Sequence, residues 1–261
     1  MASRENNQIL LFSGGQSEQR QPYYHYADSW LPSYLQSKLT DKALIMYIPW
    51  AMWARNSADD MFKYGQEHWG RLGLELHPLH REHNMQKAIE KADAIIVGGG
   101  SIHMLTQEVA RHKLMNPIRQ RVREGCLYIG TSAGSVLACP TRHSATEPPP
   151  ISLKRYATLG IVPFQLTPHF YERGSDRFHS GPPPLDRIYN YIAFYPHPRP
   201  VIGIKDGSAL VIDGKSMHIH GEKSALIVSP DFTQHHILPK TDLTELLNTS
   251  SVYYRKRPVV V

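Results

Sequence analysis

Short runs of consecutive apolar residues recur through the first half of the chain, each closed by small or turn-forming residues. Gln8-Ile9-Leu10-Leu11-Phe12 stops at Ser13-Gly14-Gly15, and Ala94-Ile95-Ile96-Val97 stops at Gly98-Gly99-Gly100. Ala43 to Pro49, Leu74 to Leu79 and Leu127-Tyr128-Ile129 have the same character. Between them lie segments with helical spacing: Pro32 to Leu39, about Ala54 to Leu72, Met85 to Ala92, a helix capped by Ser101 and running to about Met115, and one opened by Asn116-Pro117 and ending at Gly125. Runs that are apolar throughout, rather than alternating, predict strands covered on both faces. Strand–helix alternation of this kind predicts a mostly parallel sheet with helices on both sides. In such a sheet functional groups gather at the carboxyl ends of the strands.

The second half is patterned differently. Pro148-Pro149-Pro150 and Gly181-Pro182-Pro183-Pro184 interrupt it, with a strand expected at Gly160 to Phe164 between them. Leu185 to Tyr195 reads as a helix. Strands are then expected at Val201 to Ile204, Ser208 to Ile212, Met217 to His220 and Ala225 to Val228. The reading is one α/β domain over residues 1–261, strand-rich from about residue 200.

Composition narrows the class. A chain of 261 residues can bury roughly three quarters of its unfolded surface. No apolar run approaches the ~18 residues of a membrane span, and the polar start lacks a secretory h-region. With Cys126 and Cys139 in apolar surroundings, the expectation is a cytoplasmic protein with reduced, buried thiols. The net charge of +6 includes Arg255-Lys256-Arg257, but no long basic block or binding motif accompanies it. A solvated basic surface is expected, with no nucleic-acid partner. His218 and His220 alternate along one strand without a third ligand at metal-site spacing, so no metal is expected. Trp53 and Trp69 read as packing or interface residues on the long helix, which is a candidate dimer surface; monomer and homodimer both remain open.

Candidate chemistry centres on Gly130-Thr131-Ser132-Ala133-Gly134. A serine between two glycines, after a strand and before a helix-compatible run, is the pattern of a nucleophile elbow. Such a hydroxyl needs a base. His169, past the strand-like Phe164 to Pro168, is expected at the same sheet edge. For the acid that orients the imidazole there are two candidates, Asp206 at the end of the Val201 to Ile204 strand and Glu147. Backbone N–H groups of Ala133 and Gly100 are the candidate oxyanion donors.

Taken together, Val97-Gly98-Gly99-Gly100, Gly130 to Gly134, Ala138-Cys139-Pro140-Thr141, Leu159 to Gln165, Pro168-His169-Phe170 and Ile202-Gly203-Ile204-Lys205-Asp206-Gly207 resemble, in order and spacing, the peptidase E (aspartyl dipeptidase) family and its relative cyanophycinase. The resemblance runs from about Gln8 to Val228. It implies a three-layer sandwich like that of class I glutamine amidotransferases, with a Ser132–His169–Asp206 triad, Gly100 and Ala133 as oxyanion donors, a small peptide substrate and no cofactor.

The chain departs from the family pattern at four places, one of them Ala145-Thr146-Glu147, where Thr-Asn-Asp is usual downstream of the elbow. Asp206 stands where glutamate is usual, and Ser101 where asparagine follows the glycine triplet. Pro182-Pro183-Pro184 occupies the place of the substrate-reading arginine. Ser101, Arg173, Arg177 and Arg187 are the candidates for substrate contact. The expected activity is that of a serine exopeptidase on dipeptides or short peptides. A cyanophycinase-like isopeptide or amide hydrolase, and a non-catalytic peptide- or metabolite-binding relative, are the alternatives.

Overall fold

The computed structural model describes residues 7–18, 21–53, 55–145, 147, 156–172 and 184–248. Arg173, Arg177, both proline breaks up to Pro183, the start of the long helix at Ala54 and the basic Arg255-Lys256-Arg257 lie outside the described residues.

Among the described residues seven strands form the principal sheet, in the order β3 (His77–Pro78), β2 (Ile45–Ile48), β4 (Ala94–Val97), β5 (Leu127–Thr131), β1 (Gln8–Phe12), β8 (Ser208–Asp213) and β9 (Ser216–Gly221). From β3 to β1 all pairings are parallel, and β8 and β9 add antiparallel strands beside β1. Strand alternation divides the apolar residues between two cores. Ile9, Leu11, Met46, Ile95 and Tyr128 face α3 (Met85–Lys91), α4 (Ile102–Arg111), α5 (Met115–Arg123) and α6 (Ala133–Ala138). Leu10, Phe12, Tyr47, Ile96 and Ile129 face α1 (Leu31–Lys38) and α2 (Ala58–Gly70). The result is the helix–sheet–helix sandwich expected from the uninterrupted apolar runs. Complete burial of each large aliphatic or aromatic side chain contributes roughly 1.5–3 kcal/mol.

A second sheet runs β11 (Gln234–Ile237), β10 (Ala225–Val228), β7 (Val201–Ile204), β6 (Gln165–Thr167). β6 and β7 are parallel neighbours, and α7 (Pro184–Phe194) packs Ile188, Tyr191 and Ile192 against Val201, Leu226 and Val228.

Several boundaries differ from the sequence reading. The strand expected over Gly160 to Phe164 is a loop, and β6 begins only at Gln165. Pro163 has no N–H for a ladder, and Gly160 takes φ +60 while its N–H bonds the Cys139 carbonyl. The Leu74 to Leu79 run yields the two-residue β3 and a 3-10 turn at Leu79–Arg81. The long helix starts at Ala58, because Ser57 and Asp60 form a reciprocal capping box; Trp53 therefore precedes it and is exposed. The helix capped by Ser101 ends at Arg111, just before Lys113 turns left-handed at φ 58. No helix among the described residues is long and apolar enough to cross a membrane.

Candidate active site

β5 delivers Ser132 at its carboxyl end, immediately before α6. Two close approaches explain the flanking glycines. A Cβ on Gly130 would lie 2.5 Å from the Gly134 carbonyl carbon and oxygen, and one on Gly134 would lie 2.2 Å from the Val97 carbonyl oxygen. The tight turn forces Ser132 itself to φ 51, ψ −109, a conformation that an L-residue keeps only when its surroundings over-determine it. Its N–H bonds the Phe12 carbonyl and its carbonyl accepts from Val136 N–H, both at 3.0 Å.

His169 and Asp206 come from the neighbouring parallel strands β6 and β7. Thr167 pairs with Gly203, and Phe170 N–H still reaches the Ile204 carbonyl at 3.0 Å. The two chain ends therefore leave the sheet side by side. His169 Nδ1 lies 2.7 Å from Asp206 Oδ1, and His169 Nε2 lies 2.8 Å from Ser132 Oγ. With Nδ1–H donated to the carboxylate, Nε2 is the acceptor for the serine hydroxyl. His169 also sits at positive φ, 55°.

Ser13, at the end of β1, was visible in the sequence only as part of a small-residue strand terminus. It is fully buried and joins the two sheets at the site. Its Oγ lies 2.9 Å from the Ile204 carbonyl and 3.0 Å from Asp206 Oδ1, and it accepts His169 N–H at 2.8 Å. Next to it, Gly14 has no room for a side chain: a Cβ would stand 2.6 Å from Asp206 Oδ1 and 3.2 Å from His169 Cε1.

The rival acid is elsewhere. Glu147 Oε1 accepts from Ser101 Oγ at 3.0 Å and from His103 N–H at 3.3 Å, at the start of α4. Ser101 is the N-cap of that helix, is 1% exposed, and is not among the residues lining the cavity. Arg187 lies on α7 and is likewise absent from the lining. Gly100 and Ala133 do line it, and among the described residues neither N–H is consumed by a loop or cap hydrogen bond.

The cavity in front of Ser132 and His169 has a volume of about 650 Å³. One wall is aromatic. The His68 ring stacks on Tyr23 at 3.9 Å and meets Tyr64 edge-on at 4.2 Å. Arg71, just beyond α2, holds that wall by donating to the Tyr23 carbonyl at 2.7 Å and to Asp28 at 2.9 Å. Tyr24 reaches Thr131 Oγ1 at 2.8 Å, one residue from Ser132. Tyr64 and His68 are i,i+4 neighbours on α2 and share a face by helical periodicity, whereas Tyr23 comes from a separate segment and joins them through packing, which periodicity had no means of foretelling. Burial pushes the thiols of Cys126 and Cys139 up to about 12, so neither is a competent nucleophile at neutral pH.

Comparison with known proteins identifies the family and the fold. Residues 9–220 match the model of peptidase family S51. A Drosophila melanogaster protein described as "Probable alpha-aspartyl dipeptidase" is 27% identical over 204 residues, covering 78% of this chain and 83% of its own. Peptidase E of Shewanella amazonensis is 33% identical over 176 residues, covering 67% of this chain and 74% of its own. The crystal structure of a peptidase from an acI-B1 Actinobacterium superposes with a TM-score of 0.67 over 92% of this chain and 98% of its own; at 17% identity it speaks for the fold alone. The sandwich, the serine elbow and the matched 9–220 span together place this chain in peptidase family S51.

Proposed function

We propose that this protein is a serine peptidase that cleaves dipeptides or short peptides through an acyl-enzyme on Ser132. The observation that carries the reading is the continuous hydrogen-bonded line Asp206–His169–Ser132, at 2.7 and 2.8 Å, with the serine held at φ 51 on a strand-to-helix turn. Ser132 Oγ attacks the scissile carbonyl while His169 Nε2 takes its proton. Asp206 accepts Nδ1–H and stabilises the imidazolium that forms. Gly100 and Ala133 N–H groups receive the developing oxyanion; each such donor is worth roughly 2.7–4 kcal/mol in the transition state. His169 then protonates the leaving amine, and water, deprotonated by the same imidazole, releases the acyl group. The buried thiols fit a reducing compartment, and the cytoplasm is the location that goes with this reading.

The test is a Ser132→Ala variant, assayed with a dipeptide panel and a fluorophosphonate probe. Loss of both turnover and labelling is expected. Full residual activity in the variant ends the proposal.

A further inference from the structure

Tyr47, on β2, is 2% exposed and lines the cavity in front of Ser132, yet among the described residues its hydroxyl has no hydrogen-bond partner. A buried hydroxyl left without a partner is costly unless something that enters the cavity bonds it. Resting on the serine-peptidase reading above, we infer that the hydroxyls of Tyr47 and Thr131 form a subsite that donates hydrogen bonds to a side-chain oxygen, carboxylate or amide, of the residue whose carbonyl Ser132 attacks.

The strand register puts these two hydroxyls together. Tyr47 pairs with Ile96, and Ile96 with Ile129. All three face the α1 and α2 side of the sheet. Strand alternation turns Gly98 and Thr131 to the same side, one position beyond the paired Val97 and Gly130. The Tyr47 ring runs along that face and sets its hydroxyl over Gly98, where a Cβ would collide with it. Thr131 stands on the next strand, about 4.8 Å to the side. Its Oγ1 lies 2.8 Å from the Tyr24 hydroxyl. That single bond uses one of the two hydroxyl hydrogens and leaves the other for a further acceptor. Burial holds the phenols of Tyr24 and Tyr47 above their ordinary range, so both remain protonated donors at neutral pH. Gly98 and Thr131 line the cavity together with Tyr47. The patch is thus open to the cavity and carries no Cβ between its donors. Thr131 also directly precedes Ser132, and consecutive Cα atoms are about 3.8 Å apart. A short side chain on an acyl residue held at Ser132 reaches it. An oxygen lodged there satisfies both hydroxyls, whereas an isobutyl group of the same shape leaves both unpaired.

The experiment measures kcat/KM on the p-nitroanilides of Asp, Asn and Leu with the full-length chain. The better of Asp and Asn is expected to exceed Leu by at least about tenfold. Asp ahead of Asn identifies the acceptor as a carboxylate, and the reverse order as an amide. Tyr47→Phe removes only an oxygen that has no protein partner, so an unchanged thermal midpoint is expected. The same variant is expected to lower the ratio of that substrate to Leu roughly fivefold or more, and Thr131→Val likewise. A hydroxyl that serves only the fold lowers all three substrates together, so an unchanged ratio in either variant overturns the inference. Leu at or above both Asp and Asn overturns it too, as does turnover of none of the three. The fluorophosphonate then separates the two levels: labelling of Ser132 leaves the serine-hydrolase reading standing, and absence of labelling removes that as well.

Discussion

The hydroxyl of Ser13 accepts the backbone N–H of His169 at 2.8 Å, across 156 positions of sequence. The same oxygen lies 3.0 Å from Asp206 Oδ1, the atom that His169 Nδ1 also reaches. One small side chain thus fixes both the imidazole's backbone, in its left-handed conformation, and the carboxylate that orients the ring. In Ser13→Ala the His169 N–H loses its acceptor at a part-buried position. A drop of about 10- to 100-fold in kcat with KM little changed is expected, since the displaced group acts in chemistry rather than in binding. Steady-state kinetics check it, and a denaturant titration is expected to show a loss of about 1–3 kcal/mol.

Gly14 makes a sharper demand on space. Its absent Cβ would stand 2.6 Å from Asp206 Oδ1, well inside van der Waals contact. Gly14→Ala is expected to fold, because the collision is with the end of a side chain, but to push Asp206 off His169. A loss on the order of 10²-fold in kcat follows from a displacement of about 1 Å. Activity within a factor of two of the parent, measured on the best p-nitroanilide, contradicts the stated placement of the acid.

Thiol chemistry is separable from catalysis. Cys126 and Cys139 are buried free thiols, raised to about 12 by burial. At pH 8 the thiolate fraction is on the order of 10⁻⁴, so disulfide reagents find almost no nucleophile. Ellman's reagent is expected to leave the native protein unlabelled and to count two thiols after guanidinium unfolding. Iodoacetamide is expected to leave peptidase activity intact. Rapid inactivation by iodoacetamide points to a nucleophile other than Ser132.

Stability is expected to fall as pH drops from 7 to 5. His68 and His143 are both held below the usual imidazole range by burial, and each stacks on a tyrosine, Tyr23 and Tyr156 respectively. Above pH 6.5 both are neutral in either state, and their contribution is fully present. Below it the unfolded chain takes up protons that the folded chain refuses, so the contribution is lost as pH falls toward the folded-state values. Thermal unfolding across this range checks the direction. In His68→Phe, which keeps a ring on Tyr23 and cannot titrate, the slope of Tm against pH is expected to be shallower.

How much of this was legible in the chain follows the range of the forces involved. Uninterrupted apolar runs at Ile9 to Phe12, Ala94 to Val97 and Leu127 to Ile129 determine strands buried on two faces, because each residue must find a core whichever way it points. Gly130 marks the serine turn for a reason equally local, since a Cβ there would meet the backbone of Gly134, four positions on. These features are written within a few residues of each other. The choice of Asp206 over Glu147 beside His169 is not. It depends on β6 and β7 lying parallel and adjacent, while Glu147 is drawn to the start of α4 by Ser101 and His103. Ser13 and the stacking of Tyr23 on His68 were decided the same way. Their partners lie tens to more than a hundred positions off, and only docking of the sheets and helices brings them within hydrogen-bonding and stacking distance. Periodicity sets which face of an element is buried; it carries no information about which distant side chain is waiting there.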